Sequence, residues 1–310
     1  MDSTKVIDQL NAHMGIPAGI RFEAGEGGLV RAAITAGGAT AHVYLHGAHV
    51  THFQPAGQEP LIFMSKASRF ESGKPIRGGV PVCFPWFGAK ADDPKAAAHG
   101  FVRDRNWKFK TVEKQPDGSI NVTLILKWSP RTLELWPHHF SATYSVTLHG
   151  DGQRLSLELT AKNLNPSDGE PITFEAALHT YLLIGDIHQA RVTGLNNVEY
   201  IDKVDSFTRK RQQDAITFTG ETDRVYLSTT AACEVTDPAM KRRIRIEKSG
   251  SNTTVVWNPW INKAKAMADF GDDEWPNMMC IETANAGENA VTIQPKKSHA
   301  MKTVISCAAM

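Results

Sequence analysis

Residues 144–159 read YSVTLHGDGQRLSLEL, and this stretch decides the fold class. Apolar and polar residues alternate on both sides of Gly150-Asp151-Gly152, and the apolar ones are Tyr144, Val146, Leu148, Leu155, Leu157 and Leu159. A period of two is typical of a strand with one buried face. Because a short glycine-containing turn separates the two runs, the pattern predicts an antiparallel hairpin.

The same period of two recurs along most of the chain. It is clear from Ala41 to Leu45 and from Ile120 to Trp128, and shorter strand-like runs lie at 172–178, 191–195, 253–257, 291–293 and 301–306. Helical spacing occurs over residues 3–14, before Gly15. Sequential hairpins imply antiparallel pairing, so we predict an all-β chain, a large antiparallel two-sheet sandwich with a short helix at 3–14.

Composition favours one folded unit. The 310 residues are 41% hydrophobic and 22% charged, with no compositional break, so we predict a single domain over 1–310. Lys and Arg number 34 against 33 Asp and Glu, which lacks the basic excess of nucleic-acid and anionic-membrane binders. The first residues show no secretory pattern and no eighteen apolar residues run together, so we expect a cytoplasmic protein, a monomer, without nucleic-acid or membrane partners.

Cysteine and histidine spacing gives no support to a metal site. Cys83, Cys233, Cys280 and Cys307 are widely separated and form no CxxC, so we expect buried thiols rather than disulfides or zinc ligands. Four histidines lie at 42, 46, 49 and 52, but on alternating strand positions they point in mixed directions. We therefore expect no metal and no cofactor.

Residues 69–106 stand apart because they show neither a helical nor a strand period. Long irregular connections in compact proteins are usually functional or disordered. This one contains seven large or apolar residues, namely Val80, Val82, Cys83, Phe84, Trp86, Phe87 and Phe101, which is too many for a solvated disordered segment. We interpret it as an ordered binding loop.

Three segments carry groups capable of chemistry. Within the loop, glycines and prolines surround Arg77 in RGGVPVCFPWFG and Arg103 in HGFVR. His179 follows FEAAL, where strand alternation puts it opposite the apolar face of residues 174, 176 and 178. Glu282 is embedded in MCIETAN, where an unpaired buried charge would be costly. Taken singly, each also fits a structural histidine, a solvated arginine or a salt-bridged glutamate, and spacing alone leaves that choice open.

Read together, several motifs resemble the hexose-6-phosphate mutarotases, also called glucose-6-phosphate 1-epimerases, of the aldose 1-epimerase family. The motifs run in the same order from about residue 25 to 306 and are RGGVPVCFPWFG, HGFVRDRNW, EAALHTYLLIGD, GETDRVYL, VVWNPW and MMCIETANAGENAVTIQP. The first twenty residues and the stretch around 203–216 contribute little. The resemblance implies a galactose-mutarotase-like β-supersandwich and anomer interconversion of a hexose 6-phosphate, glucose 6-phosphate first among them.

The resemblance also implies roles for particular residues. The family's catalytic glutamate falls on Glu282 and its catalytic histidine on His179, while His99 matches a second histidine of the substrate site. Glutamate has an ordinary pKa of about 4.3 and suits a base, and histidine, at about 6.5, suits an acid if a nearby anion favours its charged form. Ring opening and reclosure of a sugar by such a pair require no cofactor.

Three further positions are implied to bind the substrate. Asp223 in GETDRVYL resembles the acceptor of a sugar hydroxyl, and Arg77 and Arg103 resemble the phosphate-contacting arginines of the phosphosugar branch. His49 departs from the family pattern, where glutamine is common, and this affects the expected shape of the pocket. We expect His99, His179 and Glu282 to meet on one sheet face, with His179 within about 10 Å of Glu282.

Three other functions compete with this interpretation. A glycoside hydrolase on a similar sandwich would use Glu282 and Asp223 as its carboxylate pair. A non-catalytic sugar-phosphate binding module would need no acid–base pair, so Glu282 and His179 argue against it. A mutarotase for unphosphorylated sugars is disfavoured by the two arginines.

Overall fold

The computed structural model describes residues 3–310, and strands account for most of its regular structure. The helices are α1 (Ser3–Met14), α2 (Pro130–Leu133) and α3 (Trp260–Ala266), with short 3-10 helices at Glu26–Gly28, Val102–Asp104, Trp275–Asn277 and Gly287–Asn289. The strands are β1 (Ile20–Ala24), β2 (Val30–Ala36), β3 (Ala39–Tyr44), β4 (Val50–Gln54), β5 (Val82–Cys83), β6 (Lys108–Lys114), β7 (Ile120–Lys127), β8 (Phe140–Leu148), β9 (Arg154–Asn163), β10 (Ile172–Phe174), β11 (Ala176–Leu178), β12 (Tyr181–Leu183), β13 (Arg191–Thr193), β14 (Tyr200–Asp202), β15 (Thr208–Lys210), β16 (Thr222–Tyr226), β17 (Cys233–Asp237), β18 (Arg242–Ser249), β19 (Thr253–Asn258), β20 (Met278–Asn285), β21 (Val291–Ile293) and β22 (Ser298–Ala309).

Two eight-stranded sheets dominate the described chain. One has the order β13-β17-β18-β22-β9-β8-β7-β6, and the other has the order β15-β14-β16-β19-β20-β11-β5, with β12 also pairing β20. A four-stranded sheet, β1-β2-β3-β4, and the pair β10-β21 complete the architecture. The paired strands within these sheets run antiparallel, so the predicted all-β antiparallel class is confirmed.

The hairpin predicted from residues 144–159 forms between β8 and β9. Leu148 pairs with Leu155 and Tyr144 with Leu159. The apolar positions of the quoted stretch are at most 2% exposed, as a strand with one face in the core requires. Burying one such side chain stabilises the fold by roughly 1.5–3 kcal/mol, so a one-residue register slip, which turns the whole row to solvent, is strongly disfavoured.

Several predicted strand limits are wrong. The run 172–178 divides at Glu175, because the Glu175 carboxylate accepts the backbone N–H groups of Phe87 and Gly287, and β10 and β11 join different sheets. Residues 194–195 lie outside β13, while β22 starts three residues before the predicted run and ends three after it. Trp128 lies beyond β7 and is 38% exposed. The predicted helix is present at Ser3–Met14 and packs Leu10 and Met14 on the core.

Alternate residues of β20 lie on opposite faces of the strand, in two different environments. Met279 and Ile281 belong to the main apolar cluster, which joins side chains from all four sheets. Cys280 and Ala284 face the other way, into two smaller clusters. Glu282 shares their side of the strand, so the second large sheet buries one face in the main core and presents the other to a pocket.

The irregular loop 69–106 is packed, as the sequence indicates. Phe84 contacts the rings of Trp136, Phe140 and Phe174, and the loop's only regular pieces are β5 and the 3-10 helix at Val102–Asp104. Buried thiols are confirmed at three of the four cysteines, whereas Cys307 is partly exposed. The single-domain assignment over 1–310 stays a prediction, and residues 1–2 lie outside the described part of the chain.

Candidate active site

The six residues implied by the motif resemblance line one pocket. It has a volume of about 360 Å³ and lies over the exposed face of the second large sheet. The loop 69–106 supplies Arg77, His99 and Arg103, while the sheet and its connections supply His179, Asp223 and Glu282. A larger cleft of 470 Å³ lies between the end of α1 and β1–β2, but Arg21 is the one ionisable residue in its lining, so no acid–base pair converges there.

His179 and Glu282 form the floor of the pocket. His179 follows β11, and Glu282 lies one residue before Thr283, the partner of Leu178 across the β11–β20 pair. This register brings the His179 Nε2 to 3.4 Å from the Glu282 Oε1, with side-chain exposures of 10% and 1%. The two groups therefore lie within the predicted 10 Å.

Burial drives both members of this pair toward their neutral forms. Burial, followed by the Asp223 charge, raises the pKa of Glu282 well above its usual range, and Lys203 acts in the opposite direction. Burial, followed by the charges of His99, Arg103 and Arg77, lowers the pKa of His179 well below its usual range. The imidazole is thus neutral, whereas ordinary pKa values were expected for both groups from the sequence. The His179 Nδ1 and the Glu282 Oε2 have no hydrogen-bond partner.

His99 has a defined tautomer. The backbone N–H of Gly88 donates to the His99 Nδ1 at 3.2 Å, so a neutral ring carries its proton on Nε2. Burial and the nearby Arg103, Lys203 and Arg77 lower the pKa of His99 to about 3. The ring is therefore a neutral hydrogen-bond donor in the pocket rather than a second acid.

An unusual backbone conformation places His99. His99 has φ 65°, and Gly100 follows with φ 76°. A Cβ at Gly100 would lie 1.9 Å from the Phe84 carbonyl oxygen, with which Phe101 N–H forms a hydrogen bond. Only glycine fits this close approach. Gly100, together with the Phe101 hydrogen bond, therefore fixes where His99 enters the pocket.

The two arginines enter the pocket from opposite ends of the loop. The Arg77 Nε contacts the Asp269 Oδ1 at 3.2 Å, and its Nη1 donates to the Tyr181 hydroxyl at 3.1 Å. Burial lowers the pKa of Arg77, but Tyr181 and Asp269 outweigh it and raise that pKa overall. The Arg103 Nη2 donates to the Ala98 carbonyl at 2.8 Å. Both guanidinium groups keep further N–H donors for an anion.

His49 supports the loop beneath Arg77. It is fully buried, and its Nε2 lies 2.8 Å from the Gly78 carbonyl. A Cβ at Gly79 would lie 2.3 Å from that same ring nitrogen, so the histidine and the glycine pair fit one another closely. His46 likewise contacts the Lys74 carbonyl, at 2.6 Å. These histidines hold the loop from outside the pocket lining.

Sequence reasoning assigned no role in the site to several residues that line the pocket, among them two lysines, a tyrosine and a tryptophan. Lys203 lies 3.0 Å from the Asp223 Oδ2, and Lys263 pairs with Glu221. The Tyr181 ring stacks on His179 at 4.8 Å, and Trp257 meets His179 edge-on. Strand alternation around His179 could have indicated Tyr181, but Lys203 lies in the stretch around 203–216, which carries no family motif, so no sequence signal pointed to it.

One cluster of possible metal ligands was also not predicted from the sequence. Donor atoms of His179, Cys280 and Glu282 lie within 4.8 Å of one another. Imidazole, thiolate and carboxylate are ligand types that zinc accepts. Arg77, Arg103, Lys203 and Lys263 line the same pocket, however, and their charges oppose a dication. The expectation of no metal stays a prediction.

Comparisons with known proteins identify the family of this chain. The family model for aldose 1-epimerase matches residues 31–306. A protein of Cenchrus ciliaris with the name "Putative glucose-6-phosphate 1-epimerase" is 38% identical over 260 residues, covering 82% of this chain and 77% of its own length. A protein of the same name from Escherichia coli K12 is 35% identical over 261 residues, covering 84% of each chain.

Solved structures confirm the type of fold. A crystal structure described as "a putative mutarotase (YeaD) from Salmonella typhimurium" superposes with a TM-score of 0.87 at 27% identity, covering 98% of this chain and 100% of that one. A galactose mutarotase related enzyme from Lactobacillus acidophilus, at 13% identity, gives 0.72 over 90% of this chain and 97% of its own, which confirms the galactose-mutarotase-like fold. None of the helices in residues 3–310 is long and apolar enough to cross a membrane. The chain belongs to the aldose 1-epimerase family.

Proposed function

We propose that this chain interconverts the α and β anomers of a hexose 6-phosphate, with glucose 6-phosphate as the first substrate to test. Membership of the aldose 1-epimerase family makes it an isomerase. The observation that carries the proposal is the His179–Glu282 contact of 3.4 Å in a pocket that also contains Arg77 and Arg103. The relatives named glucose-6-phosphate 1-epimerase support the choice of substrate.

Glu282 and His179 suit the two proton transfers of anomerisation. Glu282 takes the proton of the C1 hydroxyl while His179 gives a proton to the ring oxygen, and the bond from C1 to the ring oxygen breaks to leave an open aldehyde. Rotation about C1–C2 and the reverse transfers then close the ring on the other face. The proton balance is restored after each turnover, and each positioned transfer contributes about 10²–10⁴-fold.

The phosphate also has a role in making His179 an acid. Within the protein, burial and the charges of His99, Arg103 and Arg77 lower the pKa of His179. A phosphate monoester carries about −1.5 to −2 charges at pH 7 and would offset the two arginines. Substrate binding is therefore expected to raise the pKa of His179 and to prepare it for protonating the ring oxygen.

The arginines match the phosphate in geometry as well as in charge. An arginine offers forked N–H donors that fit phosphate oxygens. Arg77 is already oriented by Asp269 and Tyr181, so little side-chain freedom is lost when an anion binds. Asp223, with Lys203 on its Oδ2, is proposed to accept a sugar hydroxyl, and His99 to donate to a sugar oxygen.

Exchange NMR on the two anomers tests the proposal directly. We expect faster exchange between α- and β-glucose 6-phosphate with the protein than without it and weaker catalysis for free glucose, and the same measurement with galactose 6-phosphate shows which hexose is preferred. Binding without faster exchange would instead support a non-catalytic sugar-phosphate module. Equal catalysis of free and phosphorylated glucose would support an ordinary aldose mutarotase.

A glycoside hydrolase using Glu282 and Asp223 fits less well. Such enzymes leave two carboxyl groups free to act on opposite sides of a scissile bond. Here Lys203 holds Asp223, and the group that contacts Glu282 is a histidine. Release of a chromogenic leaving group from aryl glycosides and their 6-phosphates would overturn this argument.

We further propose that the protein acts in the cytoplasm as a monomer on this small molecule, without nucleic-acid or membrane partners. Its four cysteines are free, which suits a reducing compartment. Cell fractionation and light scattering of the purified protein test the two statements.

A further inference from the structure

Lys203 is tied to Asp223 by both its backbone and its side chain. It follows β14 directly, and its backbone N–H donates to the Asp223 carbonyl at 2.9 Å, which continues the pairing of β14 with β16. Its Nζ lies 3.0 Å from the Asp223 Oδ2 and 6.0 Å from the centre of the Phe87 ring. The ammonium group is therefore fixed between the sheet and the binding loop.

The other cations of the pocket are engaged elsewhere. Arg77 contacts Asp269, Lys263 contacts Glu221, and Arg103 donates to the Ala98 carbonyl. Among the residues described, Lys203 is the cation of this pocket that is paired with Asp223. It thus neutralises the carboxylate that stands beside Glu282.

The surroundings of Glu282 would otherwise favour its protonated form. It is 2% exposed, its Oε2 has no hydrogen-bond partner, and Cys280 on its own strand and Val255 opposite it on β19 offer no positive charge. The titratable groups that interact with it from other elements are His179, which is neutral, Asp223 and Lys203, together with the buried Tyr181 hydroxyl and Cys83 thiol, whose raised pKa values leave them uncharged. Two carboxylates in one desolvated pocket repel one another, so one of them readily takes up a proton.

We propose that Lys203 is a positioning residue that holds Asp223 in place and favours the ionised form of Glu282 against the effects of burial and of Asp223, and so helps Glu282 to act as the base. The proposal rests on the proposed anomerisation. Lys203 touches Asp223 and acts on Glu282 through the field of the pocket. The second oxygen of Asp223 remains available for a sugar hydroxyl.

The first experiment compares Lys203→Met with wild type and with Lys203→Arg. Methionine keeps most of the side-chain volume and removes the charge, so the pKa of Glu282 should rise by about one unit. The acid limb of the pH profile of kcat/KM should move upward by the same amount for both glucose 6-phosphate and free glucose. At pH values below this limb the activity should fall by up to about tenfold relative to wild type, the loss should shrink as the pH rises, and arginine should restore most of it.

Lys210→Met is the matched control. Lys210 lies in β15, the other strand of the hairpin that carries Lys203, and its Nζ pairs with the Asp202 carboxylate at 2.8 Å, outside the pocket lining. This variant removes an ion pair of the same kind without touching Asp223. Its pH profile should coincide with that of wild type.

A titration that does not depend on turnover tests the role of Lys203 separately from the proposed anomerisation. Carboxyl carbon NMR of protein labelled in glutamate follows the ionisation of Glu282 directly, with Glu282→Gln identifying its signal. A raised pKa in Lys203→Met supports the inference even if no anomerase activity is found, in which case only the proposed function fails. An unmoved pKa and acid limb in a folded Lys203→Met protein overturn the inference. A loss confined to the phosphorylated sugar, in KM alone, also overturns it, because Lys203 would then be a phosphate ligand.

Discussion

The structure contains two buried pairs of ionisable groups that look alike in distance but differ in their surroundings. The Arg242 Nε lies 3.5 Å from the Asp237 Oδ2, with side-chain exposures of 1% and 0%. The His179 Nε2 lies 3.4 Å from the Glu282 Oε1, with exposures of 10% and 1%. Distance and burial alone would assign both pairs the same role.

Hydrogen bonding distinguishes them. Arg242 donates to the carbonyls of Glu59, Pro60 and Leu183, and Asp237 accepts the backbone N–H groups of Gly185 and Met240. Five backbone groups thus hold the first pair, although the Arg242 Nε itself has no hydrogen-bond partner, and the pair joins β17 and β18 to chain segments of the other sheets. The second leaves the His179 Nδ1 and the Glu282 Oε2 unpartnered beside a pocket. A buried pair held mainly by backbone hydrogen bonds stabilises the fold, whereas a pair whose unpartnered atoms border a pocket is available for a substrate.

The largest expected effect is a loss of activity when the His179–Glu282 pair is changed. Glu282→Gln keeps the shape of the side chain but cannot accept the proton of the C1 hydroxyl, so exchange between the anomers should slow by about 10²–10⁴-fold. Circular dichroism and the thermal midpoint should stay close to wild type. Glu247→Gln, an exposed carboxylate on β18, serves as the control and should leave exchange unchanged. Wild-type exchange in Glu282→Gln would remove Glu282 as the base.

At the Arg242–Asp237 pair we expect a loss of stability and no loss of activity. Arg242→Met leaves Asp237 buried without its cation, which should lower the free energy of unfolding by about 3–5 kcal/mol. Activity per folded molecule should persist. Arg245→Met, on the same strand but half exposed, should cost about 0–1 kcal/mol. Urea unfolding measures both, and equal losses would show that the hydrogen-bond criterion does not discriminate.

A smaller effect, on substrate binding, is expected from substitution of Arg103 at the proposed phosphate end of the pocket. Hydrogen bonds to charged groups contribute about 1.5–3 kcal/mol each, so Arg103→Ala should weaken binding of glucose 6-phosphate by about ten- to a hundredfold and hardly affect free glucose. Arg105→Ala, two residues along and outside the pocket lining, is the matched control. Steady-state anomerisation of both sugars measures the difference. An equal loss for both sugars would assign Arg103 to a surface role.

The smallest expected effect concerns the orientation of Arg77. Tyr181→Phe removes the hydroxyl that accepts the Arg77 hydrogen bond and retains the ring that stacks on His179. One such bond contributes about 1 kcal/mol, so KM for glucose 6-phosphate should rise about fivefold with little change in kcat. Titration calorimetry with the product mixture checks the affinity independently. A fall in kcat alone would mean that the hydroxyl serves the acid–base pair instead.

Much of the fold could be predicted from local patterns. The period of two around Gly150–Gly152 yields a hairpin with the expected pairing, because register in a strand with one buried face is set by its own apolar residues. The limits of short strands were less predictable. Glu175 interrupts a continuous strand pattern because its carboxylate binds backbone N–H groups about 90 and 110 residues away in sequence, contacts that no local pattern contains.

By itself the sequence determined the all-β class, the packed loop 69–106 and the identities of six pocket residues. Each of these depends on a signal that is present in the linear order of residues, namely strand alternation, turn residues or the order of motifs. Only the tertiary structure decided which of those groups meet and in what state of protonation. Lys203 shows why: its role depends on the charge and desolvation of Asp223 and Glu282, which lie 20 and 79 residues away along the chain. A pKa responds to everything packed around the group, so its shift from the ordinary value arises only once the sheets have closed around the pocket.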